Sequence, residues 1–192
     1  MGRSNMANKL WRLTNLYKIR TKQKTLEKLR LNGIQKSILY ALPIKGPIRD
    51  FYLKYRQGGV STFWLLWWLD ETIFTPNTIT GILADKWENL DRLWSIVETA
   101  YANMPDYVKP GLKEESSKKL KFAGIDSEIF ISLSVRSTAV HNLHVSEWCF
   151  TEDEELNATL GSLSPTSNVS GESTANGVGN HGYETYQDAK KD

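Results

Sequence analysis

Hydrophobic and polar positions along the chain alternate between the helical and the extended period. Ile34, Ile38, Leu39 and Leu42 repeat at helical spacing until Pro43, which predicts a short amphipathic helix. Ile48 to Leu53 reads as a strand, and the apolar run Phe63-Trp64-Leu65-Leu66-Trp67-Trp68-Leu69 as a buried helix. Thr78 to Ala84 alternates as a second strand. Asp85 followed by Glu88 has the form of a capping box, and Trp87, Leu90, Trp94, Val97 and Tyr101 then line one helical face, with both tryptophans expected in the core. Pro105 and Pro110 close that region. Lys113 to Lys121 reads as a charged turn, the shoulder of a hairpin running into Phe122 and Ile129 to Leu133. A buried strand is expected at Asn142 to Val145, leading into Ser146-Glu147-Trp148. Beyond Phe150 the residues shift to Ser, Thr, Asn and Gly, with no strongly amphipathic helix expected.

Strands alternating with helices in this way predict an α/β fold, a mainly parallel central sheet flanked by helices. Ligands in such sheets sit beyond the carboxyl ends of the strands. The segment Lys54-Tyr55-Arg56-Gln57-Gly58-Gly59-Val60-Ser61-Thr62 occupies that kind of place, between the Ile48–Leu53 strand and a helix start. Glycines let backbone N–H groups curl round an anion, and the helix N-terminus adds partial positive charge. The pattern departs from G-x-x-x-x-G-K-[ST] at two positions: Lys54 replaces the first glycine and Val60 the lysine. A lysine at 54 could fold back over the loop and supply the missing cation. Ser61 keeps the place of the hydroxyl that meets Mg²⁺, with Thr62 as a second choice.

Composition narrows the class only a little. The chain has 192 residues, 40% hydrophobic, enough for one domain with a core, and its net charge of +2 is too small for a nucleic-acid coat. Basic residues do gather ahead of the loop, at Arg12, Lys18, Arg20, Lys22, Lys24, Lys28 and Arg30, either as a DNA-facing segment or as a solvated face. One cysteine, Cys149, excludes an internal disulfide framework. No secretory leader is expected, and the longest apolar run is too short to span a bilayer. The sequons at Asn157 and Asn168 are therefore read as chance matches.

Phosphoryl transfer to water requires a cradle, a metal and a group that orients the water. The loop offers the cradle. Glu147, past its strand, is either a general base or a cap for the next turn. Ser146 precedes it where an aspartate is usual, and can still bond a metal-bound water. Arg56 can reach a β- or γ-phosphate or pair with a surface acid, and Arg136 is a weaker candidate of the same kind. His141 and His144 form no metal site with other His or Cys residues. Glu172-Ser173-Thr174-Ala175-Asn176-Gly177 forms a polar turn after a strand, able to bring Thr174 or Asn176 near a γ-phosphate. Glu152, Asp153, Glu154 and Glu155 read as a surface run and not as ligands of a metal pair.

In order, Lys-x-Arg-Gln-x-Gly-Val-Ser-Thr, His-Val-Ser-Glu and Glu-Ser-Thr-Ala-Asn-Gly resemble the large terminase subunit of tailed bacteriophages. The resemblance covers nearly the whole chain and implies a P-loop NTPase fold with residues 1–47 as lead-in and 48–192 as ATPase core. It implies ATP and Mg²⁺ as cofactors, Walker A at Lys54, Arg56, Gln57, Gly58, Gly59, Val60, Ser61 and Thr62, Walker B at Ser146 and Glu147, and a coupling motif at Glu172 to Gly177. Asn32-Gly33-Ile34-Gln35 is similar to the segment whose glutamine contacts adenine, which makes Gln35 the adenine reader. The implied partners are double-stranded viral DNA, a portal protein, the small terminase subunit and further copies in a ring, with no membrane, in the host cytoplasm and at the procapsid portal. The family's nuclease domain has no counterpart before Asp192, so the expected activity is ATP hydrolysis without DNA cleavage. The other readings are a split or truncated, catalytically incomplete nucleotide-binding or assembly fragment, and, more weakly, a nucleotide kinase without its lid.

Overall fold

The computed structural model describes residues 3–136 and 139–190. The chain opens with helices α1 (Arg3–Ala7) and α2 (Lys9–Asn15), a small hairpin of β1 (Lys18–Arg20) and β2 (Leu26–Lys28), and helix α3 (Gly33–Ala41). A central sheet follows, built from β3 (Arg49–Leu53), β4 (Ile79–Leu83), β5 (Leu112–Ser116), β6 (Lys119–Phe122), β7 (Glu128–Ser132), β8 (Asn142–Ser146) and β9 (Asn168–Ser173). Helices α4 (Val60–Phe74), α5 (Trp87–Ala102), α6 (Asp153–Gly161) and α7 (His181–Asp188) connect or follow the strands, and a single 3₁₀ turn covers Trp148–Phe150. The strand order is β3-β9-β8-β4-β7-β6-β5. Pairings from β3 through β7 are parallel, and only the β5–β6–β7 edge is antiparallel. The expected fold, a mainly parallel α/β sheet flanked by helices, is the one found.

Helix α4 is the pillar of the molecule. Phe63, Trp64, Leu65, Leu66, Trp68, Leu69 and Ile73 are all buried on it, as on a helix covered on nearly every side, and its buried Asp70 is paired with Arg12. Each such apolar side chain contributes roughly 1.5–3 kcal/mol on leaving water. One flank of α4 shares a core with α2, α5 and the β6–β7 strands; the other packs Ile38 of α3 against Val60, Phe63 and Trp64. Trp68 also donates its indole N–H to Ser170 Oγ at 2.7 Å, tying α4 to β9.

Four expectations change. Asp85 and Glu88 form no capping box: Lys86 is the N-cap of α5, without a side-chain cap, and the Asp85 carboxylate accepts from Asn89 Nδ2 at 2.6 Å. Trp87, the first residue of the helix, is 66% exposed, while Leu90, Trp94, Val97 and Tyr101 keep their places in the core. Lys113 to Lys121 is not a turn but most of the strand pair at the sheet's edge, with Lys119–Glu114 bridging β5 and β6 and Lys121–Glu128 bridging β6 and β7. Charged residues on a sheet edge discourage further strand addition. After Phe150 two helices do form, α6 and α7.

Candidate functional site

The strand order explains why segments far apart in sequence meet. β3, β9 and β8 are neighbours, so the residues that leave their carboxyl ends converge. Lys54 follows β3, Thr174 follows β9 and Glu147 follows β8. The Lys54 N–H donates to the Ser173 carbonyl at 2.9 Å. Its ammonium lies 2.9 Å from Glu147 Oε1 and 3.5 Å from Glu172 Oε2. Glu147 Oε2 in turn accepts from Thr174, from the N–H at 3.3 Å and the hydroxyl at 3.5 Å. Lys54, Glu147, Glu172 and Thr174 are thus one bonded cluster.

The loop after Lys54 is shaped by two positive-φ residues, Gln57 (φ 66°) and Gly59 (φ 77°), the latter the N-cap of α4. Two side-chain amides grip it from behind. Asn32 Nδ2 donates to the Gly58 carbonyl at 3.0 Å, and Gln35 Nε2 to the Gly59 carbonyl at 2.8 Å. Asn32 and Gln35 are themselves locked in a capping box at the start of α3. With carbonyls held on that side, the unpaired N–H groups of the first turn of α4 are free to meet an anion on the other. Space is tight there: a Cβ on Gly59 would come within 2.9 Å of Gln35 Nε2.

In front of the loop opens a cleft of about 700 Å³, a size usual for small-molecule sites. Arg56, Gln57, Gly58, Gly59, Val60, Ser61 and Thr62 line it together with Lys54, Glu147 and Thr174. Arg20 and Lys22, from the basic run ahead of the loop, and Lys86 and Arg92, which the linear pattern did not single out, add cations against the carboxylates of Asp85 and Glu147. Lys22 also donates to Gln57 at 2.8 Å, linking the β1–β2 hairpin to the loop. The excess of positive charge suits a polyanion. Gln35 is not on the cleft wall; it is 3% exposed, with both amide atoms engaged by Asn32 and Gly59.

Under the cleft lies a buried polar floor. Ser146, His144 and Glu172 are each fully buried. His144 Nδ1 is 3.0 Å from Ser170 Oγ, and its ring stacks near Trp64. His144 Nε2 stands 3.8 Å from Glu172 Oε1 and makes no hydrogen bond, and neither does Glu172 Oε2. Burial pushes the Glu172 carboxyl up, but His144, Lys54 and the Ser61 hydroxyl outweigh it and hold it below its usual range. Hard oxygen donors near an incompletely paired carboxylate suit Mg²⁺. Among the described residues no group of three His, Cys, Asp or Glu side chains is placed to hold a metal, so a cation here would share its shell with ligand oxygens and water.

Glu147 is left-handed (φ 57°, ψ 51°). A non-glycine residue held there stores strain, which is common at functional sites. The surrounding packing enforces it. Trp148, next in the chain, lies so close to Gly171 that a Cβ there would meet its ring at 2.2 Å. The polar segment after β9 leads away from the cluster: Ala175 and Asn176 are exposed, Asn176 Nδ2 holds the Cys149 carbonyl at 2.8 Å, and Gly177 turns the chain with φ 69°. Glu172 and Ser173, expected in a turn, are the last residues of the strand itself.

One candidate lies elsewhere. Arg136 pairs with Glu155 and Glu154, not with the loop. Glu155 is no part of a surface run: it is 9% exposed, and it also accepts from Thr159 and from the Val135 N–H. Of the basic N-terminal residues, Arg12 is buried against Asp70.

No protein-family model matches the sequence, and no curated protein sequence matches it. Solved structures do. The large terminase of bacteriophage HK97 superposes with a TM-score of 0.78 over 100% of this chain at 15% identity; the chain spans 42% of that protein. The large terminase ATPase domain of Thermus phage P74-26 gives a TM-score of 0.58 at 14% identity, covering 78% of this chain and 67% of that one. S. cerevisiae Dbp5, in a complex with Gle1, gives 0.53 at 14% identity, covering 83% of this chain and 43% of that one. The fold is that of large-terminase ATPase domains.

Proposed function

We propose that the chain is the ATP-hydrolysing motor domain of a phage DNA-packaging terminase. The observation that carries this reading is the bonded cluster in which the loop lysine, Lys54, the strand-end glutamate, Glu147, and Thr174 meet at three adjacent strand ends. In the arrangement described, Glu147 is neutralised by Lys54 and is not free to act as a base. The γ-phosphate of ATP competes for the same ammonium. Lys54 swings to the phosphates, Arg56 closes from the rim, and the α4 N-terminus receives the β-phosphate. Glu147 is then released to take a proton from water.

Mg²⁺, held by Ser61 and through water by Ser146, would neutralise phosphate charge as the bond to the leaving oxygen breaks. Thr174 loses or regains its bonds to Glu147 as that carboxylate changes partner, which passes the state of the site to the segment Ala175 to Gly177 and on to α7. Gln35 holds the loop that receives the phosphates. Double-stranded DNA, a portal protein, the small subunit and a ring of copies are the partners this reading requires. Among the described residues no helix is long and apolar enough to cross a membrane.

The test is ATP turnover by the purified chain, with and without duplex DNA. The reading predicts Mg²⁺-dependent release of phosphate that DNA accelerates. A chain that binds no ATP at millimolar concentration would contradict it.

A further inference from the structure

Phosphate-loop enzymes hold Mg²⁺ with the loop's Ser or Thr hydroxyl and an aspartate at the end of a second strand. At the corresponding place this chain has Ser146, whose hydroxyl brings no charge. The carboxylate is nevertheless present, one strand over. β8 and β9 run parallel with Ser146 directly beside Glu172, so both side chains leave the same face of the sheet. Ser146 Oγ lies 3.5 Å from Glu172 Oε1. Ser61, the hydroxyl at the helix start, lines the cleft together with Lys54.

Glu172 also has an incomplete set of partners. It is fully buried, yet Oε2 has no hydrogen bond, and the nearest cation, the Lys54 ammonium, stands 3.5 Å away. A buried carboxylate oxygen left that way is costly unless a ligand completes it. Lys54 cannot serve both this carboxylate and a nucleotide's phosphates. Once it leaves, the pair Ser146 and Glu172 faces Ser61 with one uncompensated negative charge.

We propose that Glu172 supplies the carboxylate of the Mg²⁺ site, standing in from β9 for the charge that Ser146 lacks on β8, an assignment that rests on the nucleotide-site reading above. Lys54 holds the place of the cation until the nucleotide brings the metal. The alternative occupation for Glu172 is purely internal, as counter-ion to His144 and seat for Lys54. The two differ in what the metal does.

The experiment titrates a fluorescent ATP analogue into the chain, once in EDTA and once in Mg²⁺, and counts bound Mn²⁺ by electron paramagnetic resonance. Glu172→Gln is expected to abolish most of the gain in analogue affinity that Mg²⁺ gives over EDTA and to weaken Mn²⁺ binding about 10–100-fold. Adding Ser146→Asp to that variant is expected to restore the metal's contribution. Equal weakening with and without metal, or Mn²⁺ binding as in the unaltered chain, overturns the assignment and leaves the nucleotide site standing. No binding of the analogue to the unaltered chain in either condition overturns both. Should Glu172→Gln not fold, the exchange Ser146→Asp with Glu172→Ser carries the test: it keeps one carboxylate in the buried pair, and loss of Mn²⁺ affinity in the folded variant overturns the proposal.

Discussion

Two clusters of charged residues are buried against opposite ends of α4, and they differ in how completely they are satisfied. At the far end, Arg12 forks onto Asp70, with Nε 3.0 Å from Oδ1 and Nη2 2.7 Å from Oδ2, and spends Nη1 on the Met6 carbonyl at 2.7 Å. Tyr17 donates to the same Asp70 at 3.0 Å, while Lys9 pairs with Glu71 at 2.6 Å and lies over the Trp67 ring. At the near end, the Lys54–Glu147–Glu172 cluster leaves His144 Nε2 and Glu172 Oε2 without hydrogen bonds and keeps Glu147 left-handed. The first cluster is closed and does structural work, fastening the N-terminal helices to the pillar. The second is open, and an open buried cluster at the end of a sheet is what a site awaiting a ligand looks like.

The contrast can be broken by exchanging the consequences of damage. Lys54→Ala should have the largest functional effect: phosphate release falls to background and ATP binding weakens, while the folded state persists. Retained turnover would remove Lys54 from the site. Arg12→Ala should show the reverse, leaving Asp70 charged and buried without its partner, at a cost of about 3–5 kcal/mol in a urea unfolding curve. Nucleotide affinity of the molecules still folded should match the unaltered chain. A stability change as small as that of an exposed pair would show that the far cluster is not the fastening it looks like.

Smaller effects sharpen the boundary between the two regions. Gly171→Ala forces the Trp148 ring aside from under Glu147 and should cost about 1–3 kcal/mol, with a shift in tryptophan emission. An unmoved emission spectrum would mean the ring does not brace the glutamate. Val60→Ala trims a buried side chain yet keeps the backbone N–H, so it should lower turnover far less than Lys54→Ala. Comparable losses from the two would point to the motif's usual lysine position and away from 54.

What the sequence revealed of the site was local in origin. Lys54 to Thr62, Glu147 and Thr174 each sit where a strand ends, and strand ends with glycine or polar residues are visible in a pattern of alternation. Their convergence needed the β3-β9-β8 order, which no local pattern contains. For the same reason the pattern shows Arg20 and Lys22 only as part of a basic run and does not mark Arg92, since they reach the cleft from a hairpin and a helix far away in sequence. Asn32 could have been found, as Asn-Gly-Ile-Gln has the form of a capping box, but its grip on Gly58 is tertiary. The strands at Lys113 to Lys121 look like a turn because β5 carries charge on both faces and the alternation on β6 is only four residues long. Trp87 has the spacing of a core position but opens its helix, and spacing alone does not say how far along a helix the core extends.

The most direct measurement compares Glu147→Gln with the unaltered chain for ATP binding and phosphate release in the same preparation. Glutamine keeps the shape and can still meet Thr174, but it has no basic carboxylate. The account predicts nucleotide binding at least as tight as before, an unfolding midpoint close to the original, and turnover reduced by a factor of roughly 10² or more. Unchanged turnover, or loss of folding in place of loss of chemistry, would contradict it and return Glu147 to a structural role.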